Sequence, residues 1–281
     1  MGLKELVLLR LARRWISGVD FESAIKDAKK ANSRGLGVIV NFLGEEIKDP
    51  STADLHAAEY ARLQDAMAAE GIKGAPSVKL TQLGLLSGEA QASARLERLI
   101  QNSERHGQWL WMDMEGSPFT DQTISVYLRA LEAHKNLGVA LQAYMRRSPD
   151  DLKALLDKGG KVRLVKGAYR EDSSKVYKTR AEVRENYRKL MSELFERGQS
   201  FAIGTHDSVL INEARRLADS SHADFEFEML KGIRDELKGE LVRSGYKVSE
   251  YLPYGDQWYA YSKRRMSEHP SNIWLLLRSL V

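Results

Sequence analysis

Eight short apolar runs recur along the 281-residue chain, separated by longer charged segments with helical periodicity. The runs span 37–43, 77–82, 110–114, 139–143, 162–166, 201–204, 225–229 and 247–252. Helical patterns lie between them at 54–69, 121–135, 181–196 and 209–219, and a last one at 272–280 follows the eighth run. Short buried strands that alternate with amphipathic helices must pack as a parallel sheet covered by those helices. Eight repeats within this length predict one α/β domain over 1–281, a (β/α)8 barrel, with a doubly wound open sheet as the alternative. No glycine-rich linker or internal repeat divides the chain.

Hydrophobic residues make up 43% of the chain, enough for a large core. The 43 basic and 39 acidic side chains nearly balance, and no dense basic tract with interleaved aromatics marks a nucleic-acid surface. The absence of cysteine excludes thiolate catalysis, iron–sulfur clusters and disulfides. No apolar run reaches the length of a transmembrane helix. The first 18 residues are basic and amphipathic, with Leu3, Leu6, Val7, Leu11, Trp15 and Ile16 among Lys4, Arg10, Arg13 and Arg14. That pattern fits a membrane-surface helix or a helix packed on the barrel, and the second is the expectation.

In a barrel, function gathers at the C-terminal ends of the strands. The unusual polar residues of this chain fall there. Run one leads into Glu45, run two carries Lys79 and run three carries Asp113. Run four supplies Gln142 and Tyr144, run five supplies Arg163, Lys166 and Tyr169, and run six leads into Thr205 and His206. Run seven leads into Leu230 and run eight into Tyr251. Alternation predicts that Lys79, set between Val78 and Leu80, points into the barrel. Buried charges of this kind need partners, so each one alone fits an internal ion pair as well as a site.

Beyond the eighth run, Tyr261, Arg264, Arg265 and Glu268 fall on one face if that segment is helical. Two adjacent guanidiniums suit a substrate carboxylate, and the rings suit an apolar body beside it. A solvated basic helix face gives the same pattern. The six histidines show no metal-ligand spacing, so no metal is expected. A glycine-rich dinucleotide fingerprint and a P-loop are both absent.

Several segments together resemble the proline dehydrogenase family. They are Phe42-Leu43-Gly44-Glu45-Glu46, Ser77-Val78-Lys79-Leu80-Thr81, Asp113-Met114-Glu115 and Leu141-Gln142-Ala143-Tyr144. Further along come Arg163-Leu164-Val165-Lys166-Gly167-Ala168-Tyr169, Thr205-His206, Phe225-Glu226-Phe227-Glu228-Met229-Leu230, Tyr251-Leu252-Pro253-Tyr254-Gly255 and Tyr261 with Arg264, Arg265 and Glu268. Their order and spacing span nearly the whole chain.

The resemblance implies a distorted TIM-like (β/α)8 barrel with a final helix over its mouth, and a non-covalent FAD at the strand ends. It implies oxidation of L-proline to Δ1-pyrroline-5-carboxylate, with a hydride passing from C5 to flavin N5. Proline catabolism would begin here, and the electrons would go to a membrane quinone. By position, Lys79, Arg264 and Arg265 would hold the proline carboxylate. Tyr169, Leu230, Tyr251 and Tyr261 would enclose its ring. Asp113 would lie beside substrate and flavin, and Glu45 would close over the ligand by pairing with Arg264. Gln142, Arg163, Val165, Lys166, Gly167, Thr205, His206 and Glu268 would contact the flavin. The phenol of Tyr251 would crowd a ring hydroxyl, which favours proline over hydroxyproline. A cytoplasmic location is the expectation, and peripheral contact on the cytoplasmic face of the membrane is left open. The residues alone leave two rivals: a Schiff-base aldolase using Lys79 or Lys166, and a flavin-free amino-acid-binding barrel.

Overall fold

The computed structural model describes residues 8–9, 12–259 and 261–263. Arg264, Arg265, Glu268, the helical pattern at 272–280 and Leu3, Lys4, Leu6, Val7, Arg10 and Leu11 lie outside the described residues.

Helix α1 (Phe21–Ser33) precedes the barrel. The chain then alternates through β1 (Gly37–Phe42), α2 (Pro50–Ala69), β2 (Gly74–Val78), α3 (Glu89–Arg105), β3 (Leu110–Met112) and α4 (Ser117–Ala133). It continues through β4 (Leu137–Gln142), α5 (Ser148–Asp157), β5 (Lys161–Val165), α6 (Arg180–Arg197), β6 (Ser200–Gly204), α7 (Ser208–Ala218), β7 (Asp224–Leu230), α8 (Asp235–Arg243) and β8 (Lys247–Tyr254). Every strand pairs in parallel with its sequence neighbours, and β1 pairs with β8 from Gly37↔Ser249 to Phe42↔Tyr254, which closes the barrel. The expected (β/α)8 fold is therefore present, and the open sheet is excluded.

Alternation along each strand explains the two layers of core. On β5, Val162 and Leu164 face the helices, whereas Arg163 turns inward. On β7, Phe227 and Met229 face out and Glu228 faces in. Period-2 geometry puts successive side chains on opposite faces. Inside, Trp111 packs with Ile39, Ala75 and Ala202. The indole fits because Gly138 on the neighbouring strand has no side chain: a Cβ there would lie 2.4 Å from the ring.

Helix starts follow capping chemistry. Asp49 accepts the Thr52 N–H and Pro50 opens α2, so the helix begins before the expected 54. Thr179 and Glu182 form a capping box at α6.

The second run is a correction. Expected over 77–82, β2 instead spans Gly74–Val78, and Lys79 lies beyond it. Gly74 and Pro76 are weak strand formers, which hides the true start. After Val78 the backbone turns, with the Leu83 N–H donating to the Lys79 carbonyl. Leu80, Leu83 and Leu85 are buried by turns rather than by strand alternation.

The described part of the N-terminal segment packs on the barrel, as expected. Leu9, Ala12, Trp15 and Ile16 cluster with Leu43, Trp258 and Tyr261. The Trp15 indole N–H donates to Ser262 Oγ at 3.0 Å.

Candidate active site

The C-terminal end of the barrel holds a connected set of charges. Arg163, inward on β5 and only 3% exposed, lies at its centre. Its guanidinium donates to Glu228 at 3.0 Å, to Ser77 Oγ at 2.9 Å and to Asp113. It lies 4.8 Å from the Trp111 ring centroid and 5.8 Å from that of Tyr251. Asp113 also accepts from Ser77 Oγ at 2.9 Å and from the Tyr251 hydroxyl at 2.8 Å. One buried cation thus serves two carboxylates and sits against two rings, an arrangement that offsets much of the cost of burial.

Burial pushes the Glu228 carboxyl up to about 7, although Arg163 opposes that shift. Burial also drives the Tyr251 phenol well above its ordinary value, with the Asp113 charge adding to it. Tyr251 is therefore a neutral hydrogen-bond donor at physiological pH.

A second group lies nearer the mouth. Lys79 Nζ is 3.3 Å from Glu45 and donates to the Gly44 carbonyl at 3.5 Å. The Tyr169 hydroxyl donates to the same Glu45 oxygen at 3.3 Å. Although Lys79 is not a strand residue, its amine is largely buried and meets Gly44 and Glu45 from the end of β1, where Glu45 also receives Tyr169 from beyond β5. Tyr261 is buried beside Leu43 in the adjoining cluster.

The third group follows β4, β5 and β6. The Gln142 amide donates to the Glu115 carbonyl at 2.9 Å. Lys166 and Arg184 converge on Asp207 at 2.7 and 2.9 Å, and both cations remain partly exposed. Thr205 Oγ1 accepts the Asp207 N–H at 3.2 Å. His206 Nε2 accepts the Leu230 N–H at 2.9 Å, so the neutral ring carries its proton on Nδ1. Gly167 adopts φ +112 with the Tyr144 ring where a Cβ would stand, 2.2 Å away. Val165 closes over Gly204, where a Cβ would lie 2.8 Å from it. Lys166 and Arg184 at the rim, with the N-terminus of α7 beside them, form a donor set that fits a phosphate-bearing cofactor.

Among the described residues, the expected positions thus fall into one end of one barrel. Glu45 meets Lys79 and Tyr169, whereas its expected partner Arg264 lies outside the described residues. Val165 and Leu230 end their strands at this same rim. No group of metal-ligating residues occurs among the described residues. No described helix is long and apolar enough to cross a membrane.

Ser77, Thr81, Glu115 and Glu228 also lie at this end of the barrel, and the strand-end pattern does not single them out. The signal for Glu228 was present: Glu226 and Glu228 alternate with Phe225 and Phe227, which places two carboxylates on the inward face. Thr81 and Glu115 had no comparable pattern.

Comparison with known proteins gives a consistent result. The family model for proline dehydrogenase matches residues 24–273. Proline dehydrogenase 1 of Bacillus subtilis subsp. natto is 32% identical over 273 residues, covering 96% of this chain and 90% of that protein. The proline dehydrogenase of Deinococcus radiodurans is 34% identical over 280 residues, with the same two coverages of 96% and 90%. Among solved structures, proline utilization A from Bdellovibrio bacteriovorus inactivated by N-propargylglycine superposes with a TM-score of 0.87 at 24% identity. It covers 93% of this chain, which spans only 33% of that longer one. At that identity the likeness speaks for the fold.

Proposed function

The chain belongs to the proline dehydrogenase family, and we propose that it oxidises L-proline to Δ1-pyrroline-5-carboxylate using a non-covalent FAD. That reaction would open proline catabolism, with a membrane quinone as the final acceptor. What supports the reading is convergence: Glu45, Lys79, Asp113, Arg163, Tyr169 and Tyr251, from five strands or the segments that follow them, gather in two polar groups at one end of the barrel.

In this reading Gln142, Arg163, Val165, Lys166, Gly167, Thr205 and His206 would hold FAD, with Glu268 beyond the described residues. When bound, FAD supplies the acceptor for the hydride equivalent that leaves C5 of proline. Lys79 holds one side of the substrate carboxylate, with Arg264 and Arg265, outside the described residues, as its expected partners. Tyr169, Leu230, Tyr251 and Tyr261 enclose the pyrrolidine ring. Asp113 has both oxygens engaged by donors, so its role is to aim the Tyr251 phenol rather than to take a proton. Glu45 pairs with Lys79 before substrate enters and yields the cation to the incoming carboxylate. Exclusion of water and a fixed ring orientation supply much of the rate.

The test is a visible spectrum of the purified protein followed by anaerobic L-proline. Bands near ~450 nm that bleach with proline support both cofactor and half-reaction. A protein that stays colourless after FAD is added overturns the reading and favours the Schiff-base or binding alternatives.

A further inference from the structure

Two residues without a role in the site hold the two loops that form its mouth. Glu115 follows β3 and is almost fully buried. Its carboxylate accepts twice from Thr81: from the hydroxyl at 2.5 Å and from the N–H at 3.1 Å. Thr81 in turn grips the loop after β1. Its Oγ1 accepts the Glu46 N–H at 2.8 Å, and its carbonyl accepts the Ile47 N–H at 3.1 Å. Glu46 sits at φ +55, a conformation that L residues adopt only under constraint. The residue before it is Glu45, and the second residue before Thr81 is Lys79.

We propose that Glu115 and Thr81 are positioning residues: together they lock the loop after β1 to the turn after β2, so that Glu45 and Lys79 face each other across the mouth.

The reasons are geometric. Lys79 has left β2, so no ladder hydrogen bond sets its direction. Glu45 lies on a loop, with no helix or strand of its own. The Thr81 hydroxyl, on the turn after β2, is the shared hinge, since it donates to Glu115 beyond β3 and accepts from Glu46 in the loop after β1. A carboxylate is the acceptor that can take both the hydroxyl and the N–H of one residue. Buried in this way, with both oxygens engaged, Glu115 holds Thr81 in one rotamer and thereby fixes both loops. The Glu115 carbonyl also receives the Gln142 amide, which ties the lock to the end of β4.

The proposal rests on Lys79 binding the substrate carboxylate, and the test separates the two. The variants Thr81→Val, Thr81→Ser, Lys79→Met and Thr81→Val with Lys79→Met are compared as FAD-loaded enzyme with L-proline. Thr81→Val keeps the shape but removes the hydroxyl. It is expected to raise KM about tenfold, the scale of one lost charge-assisted hydrogen bond, with kcat within about twofold. Thr81→Ser restores KM to within about threefold of wild type. Because Thr81 acts through Lys79, the double variant is no more than about threefold worse than Lys79→Met alone. Unchanged KM in Thr81→Val beside a raised KM in Lys79→Met overturns the lock but leaves the substrate reading standing. Full additivity in the double variant overturns it as well. Unchanged KM in Lys79→Met overturns the substrate reading, and the lock with it. If Thr81→Val does not yield folded enzyme, Glu115→Gln, which keeps one acceptor oxygen, carries the same comparison with an expected KM rise of about threefold.

Discussion

The hydroxyl of Tyr251 on the last strand donates to Asp113 at the end of the third, a 2.8 Å bond that joins residues 138 positions apart. The same carboxylate binds Arg163 and Ser77. The phenol therefore has one orientation, and it is set from the far side of the barrel.

Removing that hydroxyl tests what the orientation is worth. Tyr251→Phe keeps the ring and leaves Asp113 with one donor fewer. A hydrogen bond to a charged acceptor contributes about 1.5–3 kcal/mol. kcat/KM for proline should fall by about tenfold or more, while bound cofactor, read from the protein's absorbance, stays at the wild-type level.

Arg163→Met removes the cation shared by Asp113 and Glu228. Orphaning a buried ionic partner costs about 3–5 kcal/mol, so a lower Tm follows. The loss should depend on pH. Burial raises the Glu228 carboxyl from 4.5 to about 7 in the folded protein. A raised carboxyl favours the fold below its unfolded value, where it is protonated in both states, and this contribution is lost as pH rises through about 7. Without Arg163 the folded carboxyl rises further, so the Tm deficit should stay level below about pH 7 and grow as pH rises above it. Parallel Tm curves for variant and wild type would show that Arg163 does not neutralise Glu228.

His134, far from the mouth, should give a second pH signature. Its Nδ1 meets Glu104 and its Nε2 meets Glu97, both at 2.8 Å. Burial lowers its pKa, but the two carboxylates outweigh that and the net shift is upward. The stabilisation is then full below the unfolded value of 6.5 and is lost as pH rises through the higher folded one. Both glutamates are substantially exposed, so the effect is on the order of 1 kcal/mol. His134→Gln should lower Tm at about pH 6 and have a smaller effect at about pH 9. Equal Tm losses at the two pH values would refute the ion-pair account.

Gly167→Ala should act on the cofactor side. The added Cβ would collide with the Tyr144 ring at 2.2 Å, on a backbone at φ +112. Tyr144 or the loop must move, at a cost of about 1–3 kcal/mol. The expected result is weaker FAD retention on gel filtration together with a lower Tm. Full FAD retention would show that this loop does not touch the cofactor.

Much of the fold was legible because strands and helices carry their own periodicity. The runs at 37–43, 162–166 and 201–204 became β1, β5 and β6 within a residue at each end. The second run failed because Gly74 and Pro76 carry no strand signal, and because a tight turn buries Leu80, Leu83 and Leu85 as a strand would. At the site, Lys79, Asp113, Arg163 and Tyr251 stood out as polar or aromatic residues where apolar ones were expected. Thr81 and Glu115 did not, since a threonine and a glutamate beside a strand end are ordinary in sequence. Only their mutual contact makes them unusual.

The order of elements and, outside β2, the approximate position of each strand follow from the sequence by itself, because each rests on a local repeat of period 2 or 3.6. The pairing of side chains was decided only by tertiary structure. Closing β1 on β8 brings Tyr251 to Asp113, and the barrel's curvature brings Arg163 within reach of both Asp113 and Glu228. Those meetings depend on how strands far apart in the chain are staggered around one axis, a relation that no local pattern encodes.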